Sequence, residues 1–192
     1  REAIHGYWAA VSYVDALVGQ LLDELDRLDL RKNTVVILWG DHGWQLGEHG
    51  FWCKHTNYEV AARVPLIISV PGQKHPGRQS PRLVEFVDIY PTLAEVCGLP
   101  KPEGIEGISF KPLLDNPDRP WKTAAFHVYP RTVRGQGNVL GRAMRTERYR
   151  LVEWATPNRG FVEYELYDLE ADPDENVNLA NRDESMPVLA EL

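Results

Sequence analysis

A carboxylate, an imidazole and an ammonium come close together in Asp41-His42-Gly43-Trp44, Leu46-Gly47-Glu48-His49-Gly50 and Trp52-Cys53-Lys54. Asp41 offers two anionic oxygens and His42 a neutral nitrogen, so the adjacent pair can reach one metal ion. A carboxylate suits calcium or magnesium, while an imidazole suits softer ions, and donor type alone leaves the metal open. Lys54 adds a compact positive charge suited to one oxygen of a sulfate or phosphate. Each residue also has a plainer role: Asp41 as a turn cap, His42 at the surface, Lys54 in solvent. As a set they match an oxyanion held by a metal. Gly43, Gly47 and Gly50 permit positive φ and close backbone approach. Trp44, Phe51 and Trp52 either wall off a pocket or pack in the core.

Elements on either side must position these groups. The preceding run, residues 34–40 (Thr-Val-Val-Ile-Leu-Trp-Gly), is short, apolar and rich in β-branched residues. It reads as a buried strand. The chemistry then leaves its carboxyl end, the edge where open α/β sheets bind ligands. Upstream, Tyr7, Trp8, Val11, Val14, Leu21, Leu22, Leu25 and Leu28 recur at helical spacing and predict an amphipathic helix over 4–28. Downstream, 57–62 reads as a helical turn and 65–70 as a second strand stopped by Pro71-Gly72. Residues 83–86 read as a short strand or extended segment. A helix follows over 88–96, with Asp88 as cap, Pro91 in its first turn and Gly98 as its end.

Residues 99–121 carry prolines and glycines with little periodicity and read as a connection wrapped on the surface. Beyond them, 123–129, 141–146, 148–154 and 162–167 predict short antiparallel strands, with a hairpin turning at Glu147-Arg148. Residues 168–178 are polar and carry the turn signal Asp172-Pro173, and 185–192 reads as the start of a helix. The fold class is therefore α/β: a partial sheet with flanking helices over 1–98, a connection over 99–122, and a small antiparallel α+β subdomain over 123–192. One long helix with two or three strands cannot cover both faces of a doubly wound sheet, so the first piece reads as incomplete.

Composition limits the functional class. With 43% hydrophobic and 26% charged residues, the 192-residue chain is globular rather than disordered. A net charge of -7 lacks the positive field that nucleic-acid binding needs. No apolar run approaches the ~20 residues of a membrane span. Cys53 and Cys97 form no CxxC or zinc-type cluster, and their pairing and the redox compartment stay open.

The run Asp41-His42-Gly43-Trp44-Gln45-Leu46-Gly47-Glu48-His49-Gly50, with Trp52-x-Lys54, Glu59 and Arg63-Val64-Pro65-Leu66-Ile67, resembles the second half of a sulfatase of the alkaline-phosphatase superfamily. Tyr7-Trp8-Ala9-Ala10-Val11-Ser12-Tyr13-Val14-Asp15, Asp88-Ile89-Tyr90-Pro91-Thr92-Leu93, Arg145-Thr146, Tyr149-Arg150, Glu165-Leu166-Tyr167-Asp168-Leu169 and Asp172-Pro173-x-Glu175 are similar to further elements of that family, in the same order. His42, Trp44 and the Trp-x-Lys spacing are most similar to its iduronate-2-sulfatase branch. The resemblance implies a partial alkaline-phosphatase-like sheet. It implies Asp41 and His42 as ligands of a divalent metal, calcium in sulfatases, and Lys54 as a catalytic contact to the sulfate or leaving oxygen. Trp44 and His55 would lie near the sugar. Tyr13 and Asp15 would serve packing and local hydrogen bonds. Arg63, Arg145 and Arg150 would brace loops or face the pocket, and His49 would touch the anion or carry no role.

The implied reaction is hydrolysis of a sulfate ester of a sulfated uronic acid or polysaccharide. A periplasmic or secreted location follows from the same resemblance. Sulfatases use a formylglycine made from the cysteine of Cys-x-Pro-x-Arg. Cys53, before Lys54-His55-Thr56, and Cys97, before Gly98-Leu99-Pro100, do not match that motif. The resemblance thus implies a carboxyl-terminal part, inert alone, whose partner is the amino-terminal part of its own fold. Two alternatives stand beside it: a phosphodiesterase or phosphonate hydrolase of the same superfamily, and a catalytically inert fragment.

Overall fold

Apolar side chains at helical spacing, with no proline between them, make residues Glu2–Arg27 a single helix, α1. Asp29 ends it by adopting a left-handed backbone (φ 57°). Arg27 on Glu24 and Arg31 on Asp26, both 2.6 Å, tie down the last turn. The computed structural model describes residues 1–192, and the order after α1 is β1 (Val36–Trp39), β2 (Gln45–Leu46), β3 (Trp52–Cys53), α2 (Glu59–Ala62), β4 (Leu66–Ser69), α3 (Ile89–Val96), α4 (Lys111–Asp115), β5 (Ala124–Val133), β6 (Gly137–Thr146), β7 (Tyr149–Ala155), β8 (Val162–Asp168) and α5 (Met186–Glu191).

β1 and β4 pair antiparallel, from Val36 opposite Ser69 to Trp39 opposite Leu66. Ile37, Leu66 and Ile68 point into a core of Ile89, Phe110 and Leu113, completed by Val84, Leu93 and Trp121. Strand residues alternate faces, so Leu38 and Ile67 point the other way, and Ile67 is 63% exposed. The run read as a buried strand is thus covered on one face only, because α3 and α4 lie on one side of this two-stranded sheet. α1 buries none of its residues. Tyr13 and Asp15 are exposed in this chain.

Asp88 organises the lower layer. It is fully buried. Its carboxylate accepts from the Glu85 amide at 2.8 Å, the Ile108 amide at 2.9 Å and the Lys122 ammonium at 2.5 Å. The predicted cap is therefore part of a buried cross-link. Residues 83–86 pair with no strand; Glu85 is extended (φ -123°, ψ 162°), and its carboxylate accepts from the Phe126 amide (2.8 Å) and from Lys122 (2.6 Å). The segment read as a surface connection also differs. Phe110 and Leu113 are buried, since the one-turn helix α4 inserts them under β1 and β4.

β5 to β8 form an antiparallel sheet in sequence order. The turn at Glu147-Arg148 is as expected, with Arg145 opposite Arg150 and the Tyr149 amide donating to Thr146 Oγ1 at 2.9 Å. β5 and β6 run further than the sequence suggested, to Val133 opposite Gly137 around a turn containing Gly135 (φ 82°). Val139, Ala143, Val152 and Trp154 form the sheet's apolar core.

One face of this sheet receives residues 55–59. The His55 ring lies 5.7 Å from that of Tyr129, and Tyr58 5.9 Å from Tyr167. Asn57 is buried and its Oδ1 accepts from His127 Nδ1 at 2.7 Å. A Cβ on Gly141 would come within 2.4 Å of Asn57 Nδ2 and 2.5 Å of the Trp154 ring, so glycine is what admits the amide. Glu59 accepts from Arg145 at 3.2 Å and from Arg150. Arg150 also donates to Glu175 at 2.6 Å, and Glu175 accepts from the Glu59 amide at 2.6 Å. Arg145 and Arg150 therefore brace loops.

Replacing Arg150 with alanine should destabilise the protein by about 3–5 kcal/mol, because two carboxylates lose a buried partner; chemical denaturation measures it, and a loss below about 1 kcal/mol would contradict this account. Burial, and then the charge of Arg150, hold the His127 imidazole below its ordinary value. The fold favours neutral His127, so its contribution is present above about pH 6.5 and is lost as pH falls through the lower folded value. Melting temperature should therefore drop below about pH 6.5, and more steeply in the native protein than in His127→Gln. Parallel pH profiles of the two proteins would refute this.

Candidate active site

Three backbone contacts hold the loop leaving β1. The Gly40 amide donates to the Pro65 carbonyl at 3.2 Å, the Gly43 amide to Ala61 at 2.8 Å and the Trp44 amide to Val60 at 3.0 Å. A Cβ on Gly43 would lie 2.0 Å from the Val60 carbonyl oxygen, so only glycine lets the loop sit this close to α2. Asp41 and His42 are pinned between these anchors. A second device brings Lys54 to them. Chain direction reverses between β2 and β3 through Gly47 (φ 122°), His49 (φ 55°) and Gly50 (φ 75°). Cys53 (φ 71°) then turns the chain again immediately before Lys54. A non-glycine residue in that region is strained and is held by its surroundings. Here those are the buried Gln45, which accepts from Thr56 Oγ1 at 3.0 Å, and Asn57 in the sheet.

The three predicted groups meet. Lys54 Nζ lies 2.6 Å from His42 Nε2, and Asp41 Oδ2 lies 3.3 Å from the same nitrogen. His42 Nδ1 sits 2.8 Å from the Gly43 carbonyl oxygen. A carbonyl only accepts, so Nδ1 carries the hydrogen and the Nε2 lone pair faces the cluster. A carbonyl acceptor behind one ring nitrogen is the arrangement that orients a histidine toward a metal. The Asp41 side chain is 84% exposed, which leaves its oxygens available. One hard oxygen donor and one imidazole fit a divalent cation as two of its ligands. The Nε2 lone pair serves one cation at a time, the Lys54 ammonium or a metal. Asp41 and His42 offer two donors, and the chain brings no third His, Cys, Asp or Glu side chain to them.

The other predicted residues lie around this cluster. The Trp44 ring is 6.0 Å from that of His42 and stacks on Tyr7 of α1 at 5.9 Å. Phe51 and Trp52 are about half exposed. His55 is exposed beside Tyr129. Arg63 is exposed, 3.7 Å from Glu59. His49 stacks on Tyr58 at 3.8 Å and lines a hollow of about 510 Å³ with Glu48, Glu59, Asp174 and Glu175. Four carboxylates make that hollow unsuited to an anion. Asn57, His127, Gly141 and Glu175, which hold the Lys54 loop, carry no local signal, because their partners lie 70 or more residues apart in sequence.

The chain is similar in sequence and fold to known proteins. The family described as N-sulphoglucosamine sulphohydrolase, C-terminal, matches residues 47–192, and the type I phosphodiesterase / nucleotide pyrophosphatase family matches 6–66. Human iduronate 2-sulfatase is 32% identical over 94% of this chain and 44% of its own length. A solved structure in complex with its substrate D-glucosamine-2-N,6-O-disulfate is 32% identical and superposes with a TM-score of 0.84, over 95% of this chain and 37% of that one. The phosphonate monoester hydrolase of Agrobacterium radiobacter is 27% identical with a TM-score of 0.80, over 94% of this chain and 37% of its own. The chain thus spans less than half the length of these relatives. With the fold, the order of the motifs and the relatives in agreement, the chain belongs to the sulfatase family, whose carboxyl-terminal region it matches.

Proposed function

We propose that this chain supplies part of the active site of a sulfuric ester hydrolase. The convergence of Asp41 Oδ2, His42 Nε2 and Lys54 Nζ on one point carries this reading. Asp41 and His42 are metal ligands and Lys54 is a catalytic residue. When bound, a divalent metal, calcium by family likeness, polarises the sulfate oxygens. The nucleophile is a formylglycine from outside this chain, since neither Cys53 nor Cys97 has the required context. Lys54 holds a positive charge where the transferred group or leaving oxygen gains negative charge. Its ammonium lies 2.6 Å from His42 Nε2, and with that lone pair taken up by a metal it is free to pair with the anion. Trp44 and His55 border the sugar, and the substrate is a sulfated uronic acid or polysaccharide.

The apolar side chains that α1 exposes (Trp8, Val11, Val14, Leu17 and Leu21), together with Ile67 on the outer face of β4, exceed what single scattered residues explain. We assign as their cover the remainder of the sulfatase α/β domain, in keeping with the 44% of iduronate 2-sulfatase that this chain spans. No helix is long and apolar enough to cross a membrane, and family likeness suggests a periplasmic or secreted enzyme.

A phosphonate or phosphodiester hydrolase is the second reading. The phosphodiesterase match over 6–66 and the phosphonate monoester hydrolase structure favour it, and the same three side chains suit a phosphorus oxyanion. Comparing turnover of a sulfate monoester with that of a phosphonate monoester by the full-length enzyme decides between them.

In the full-length enzyme, Lys54→Ala should lower kcat about 10²–10³-fold while metal content stays at the native level. Native turnover in that variant would remove Lys54 from the reaction. His42→Ala should instead weaken metal binding about 10–100-fold or more, read by metal titration of the purified protein. Unchanged metal affinity would exclude His42 as a ligand.

A further inference from the structure

Residues 119–146 contain six cations, Arg119, Lys122, Arg131, Arg134, Arg142 and Arg145, and no carboxylate, in a chain of net charge -7. Three of them are spent inside the fold: Lys122 on Asp88 and Glu85, Arg142 on Glu153, and Arg145 on Glu59. Arg131 and Arg134 lie elsewhere, on the outer part of the β5–β6 ribbon, whose Val139 and Val133 pack on the sheet core. β7 last pairs with β6 at Leu140, opposite Ala155. Beyond that point Arg131, Thr132 and Val133 pair only with Val139, Asn138 and Gly137. Arg134 stands exposed at the turn and takes part in no ion pair.

The Arg131 guanidinium lies over the Trp154 ring, 3.7 Å from its centroid. Trp154 is buried and donates its indole N–H to Glu165 at 2.9 Å, while Arg131 is only loosely paired with that carboxylate, at 3.9 Å. The guanidinium is therefore held by its face on an aromatic ring, and with its side chain 39% exposed it keeps donors toward solvent. His127, Tyr129 and Arg131 alternate onto one face of β5, the face that receives residues 55–59. Tyr129 lies 5.7 Å, ring to ring, from His55, and His55 directly follows Lys54. A line of side chains thus leads from Lys54 through His55 and Tyr129 to Arg131.

We propose that the 131–139 ribbon is a subsite for an anionic oligosaccharide, holding a sulfate or carboxylate on a sugar beyond the one whose ester is cut. The assignment rests on the sulfatase reading above and adds the substrate's extent: a chain of charged sugars rather than a small sulfate ester. Guanidinium groups bind sulfate and carboxylate with paired, charge-assisted hydrogen bonds. A guanidinium already fixed on a ring loses little freedom when it does so.

The test uses the full-length enzyme with two substrates, an aryl sulfate and a sulfated uronate-containing tetrasaccharide. In Arg134→Ala and in Arg131→Ala, kcat/KM for the tetrasaccharide relative to the aryl sulfate should fall about tenfold, mainly through KM, with a weaker dependence on salt. Arg131→Ala also uncovers Trp154, so Arg134→Ala and Arg131→Lys provide readings that do not depend on that packing. A ratio unchanged in all three variants overturns the subsite. Calorimetric binding of the tetrasaccharide decides the matter separately from turnover: affinity lost in the variants supports the ribbon, and equal affinity, or no binding by the native enzyme, overturns it. Failure of the native enzyme to cleave either substrate, with the binding difference intact, would instead strike the sulfatase reading.

Discussion

The structure depends on one buried guanidinium. Arg150 is almost fully enclosed and touches two carboxylates, Glu59 on α2 and Glu175 in the loop after β8. An isolated charge in that position would cost several kcal/mol. The cluster is neutral as a whole, because Arg145 joins Arg150 against the two glutamates. Burial pushes the Glu175 carboxyl up, while the charge of Arg150 and the Glu59 amide pull it back. Arrangements that separate these groups strand a charge away from water, so four chain segments have one low-energy way to meet. That meeting sets residues 55–59 across the sheet, and Lys54 is the residue just before them. The position of Lys54 is therefore fixed from the sheet, not from the strand that carries Asp41 and His42.

That division explains what the sequence revealed. Asp41, His42 and Lys54 fall within a short window after an apolar run, and their types alone suggested a shared oxyanion. α1 and the 147–148 hairpin turn were equally local, written in helical spacing and a polar turn, whereas the Asp88 carboxylate makes no cap bond to α3 and bonds Glu85, Ile108 and Lys122 instead. What stayed hidden was long-range. Glu59 and Arg150 are 91 residues apart, and neither position looks unusual by itself. Cys53 gives no warning of its left-handed backbone, because cysteine is not a residue that favours one. Residues 99–121 lacked periodicity because α4 is too short to show any, yet its one turn delivers Leu113, next to Phe110, to the core. The half-exposed state of β1 was hidden for the opposite reason. Its composition describes both faces, while this chain covers one.

Gly43 and Gly141 perform the same service at two distant places. Each removes a Cβ where another part of the chain must come close, the α2 backbone at Gly43 and the Asn57 amide at Gly141. The first close approach fixes the anionic and imidazole side of the cluster, the second the ammonium side. Both converge on the segment 57–62, which touches the loop after β1 on one flank and the sheet on the other. A small shift of that segment would move Lys54 relative to His42. A displacement of about 1 Å at a reacting group is enough to cost about a hundredfold in rate. The rigidity invested in so short a stretch is what a preorganised charge requires.

An anion must still approach a protein of net charge -7. Net charge is a poor guide here, because exposed charges are screened beyond about 8 Å in physiological salt. What an anion meets is local. The hollow edged by Glu48, Glu59, Asp174 and Glu175 is acidic, but two of its four carboxylates are already neutralised by Arg145 and Arg150. The cluster at the end of β1 presents the Lys54 ammonium beside Asp41 and His42. Residues 119–146 carry cations and no carboxylate, and Tyr129 within them lies 5.7 Å, ring to ring, from His55, the residue after Lys54. Under the proposed reading, a single anionic group would be drawn to the Lys54 cluster, while a longer polyanion would have Arg131 and Arg134 to follow away from it.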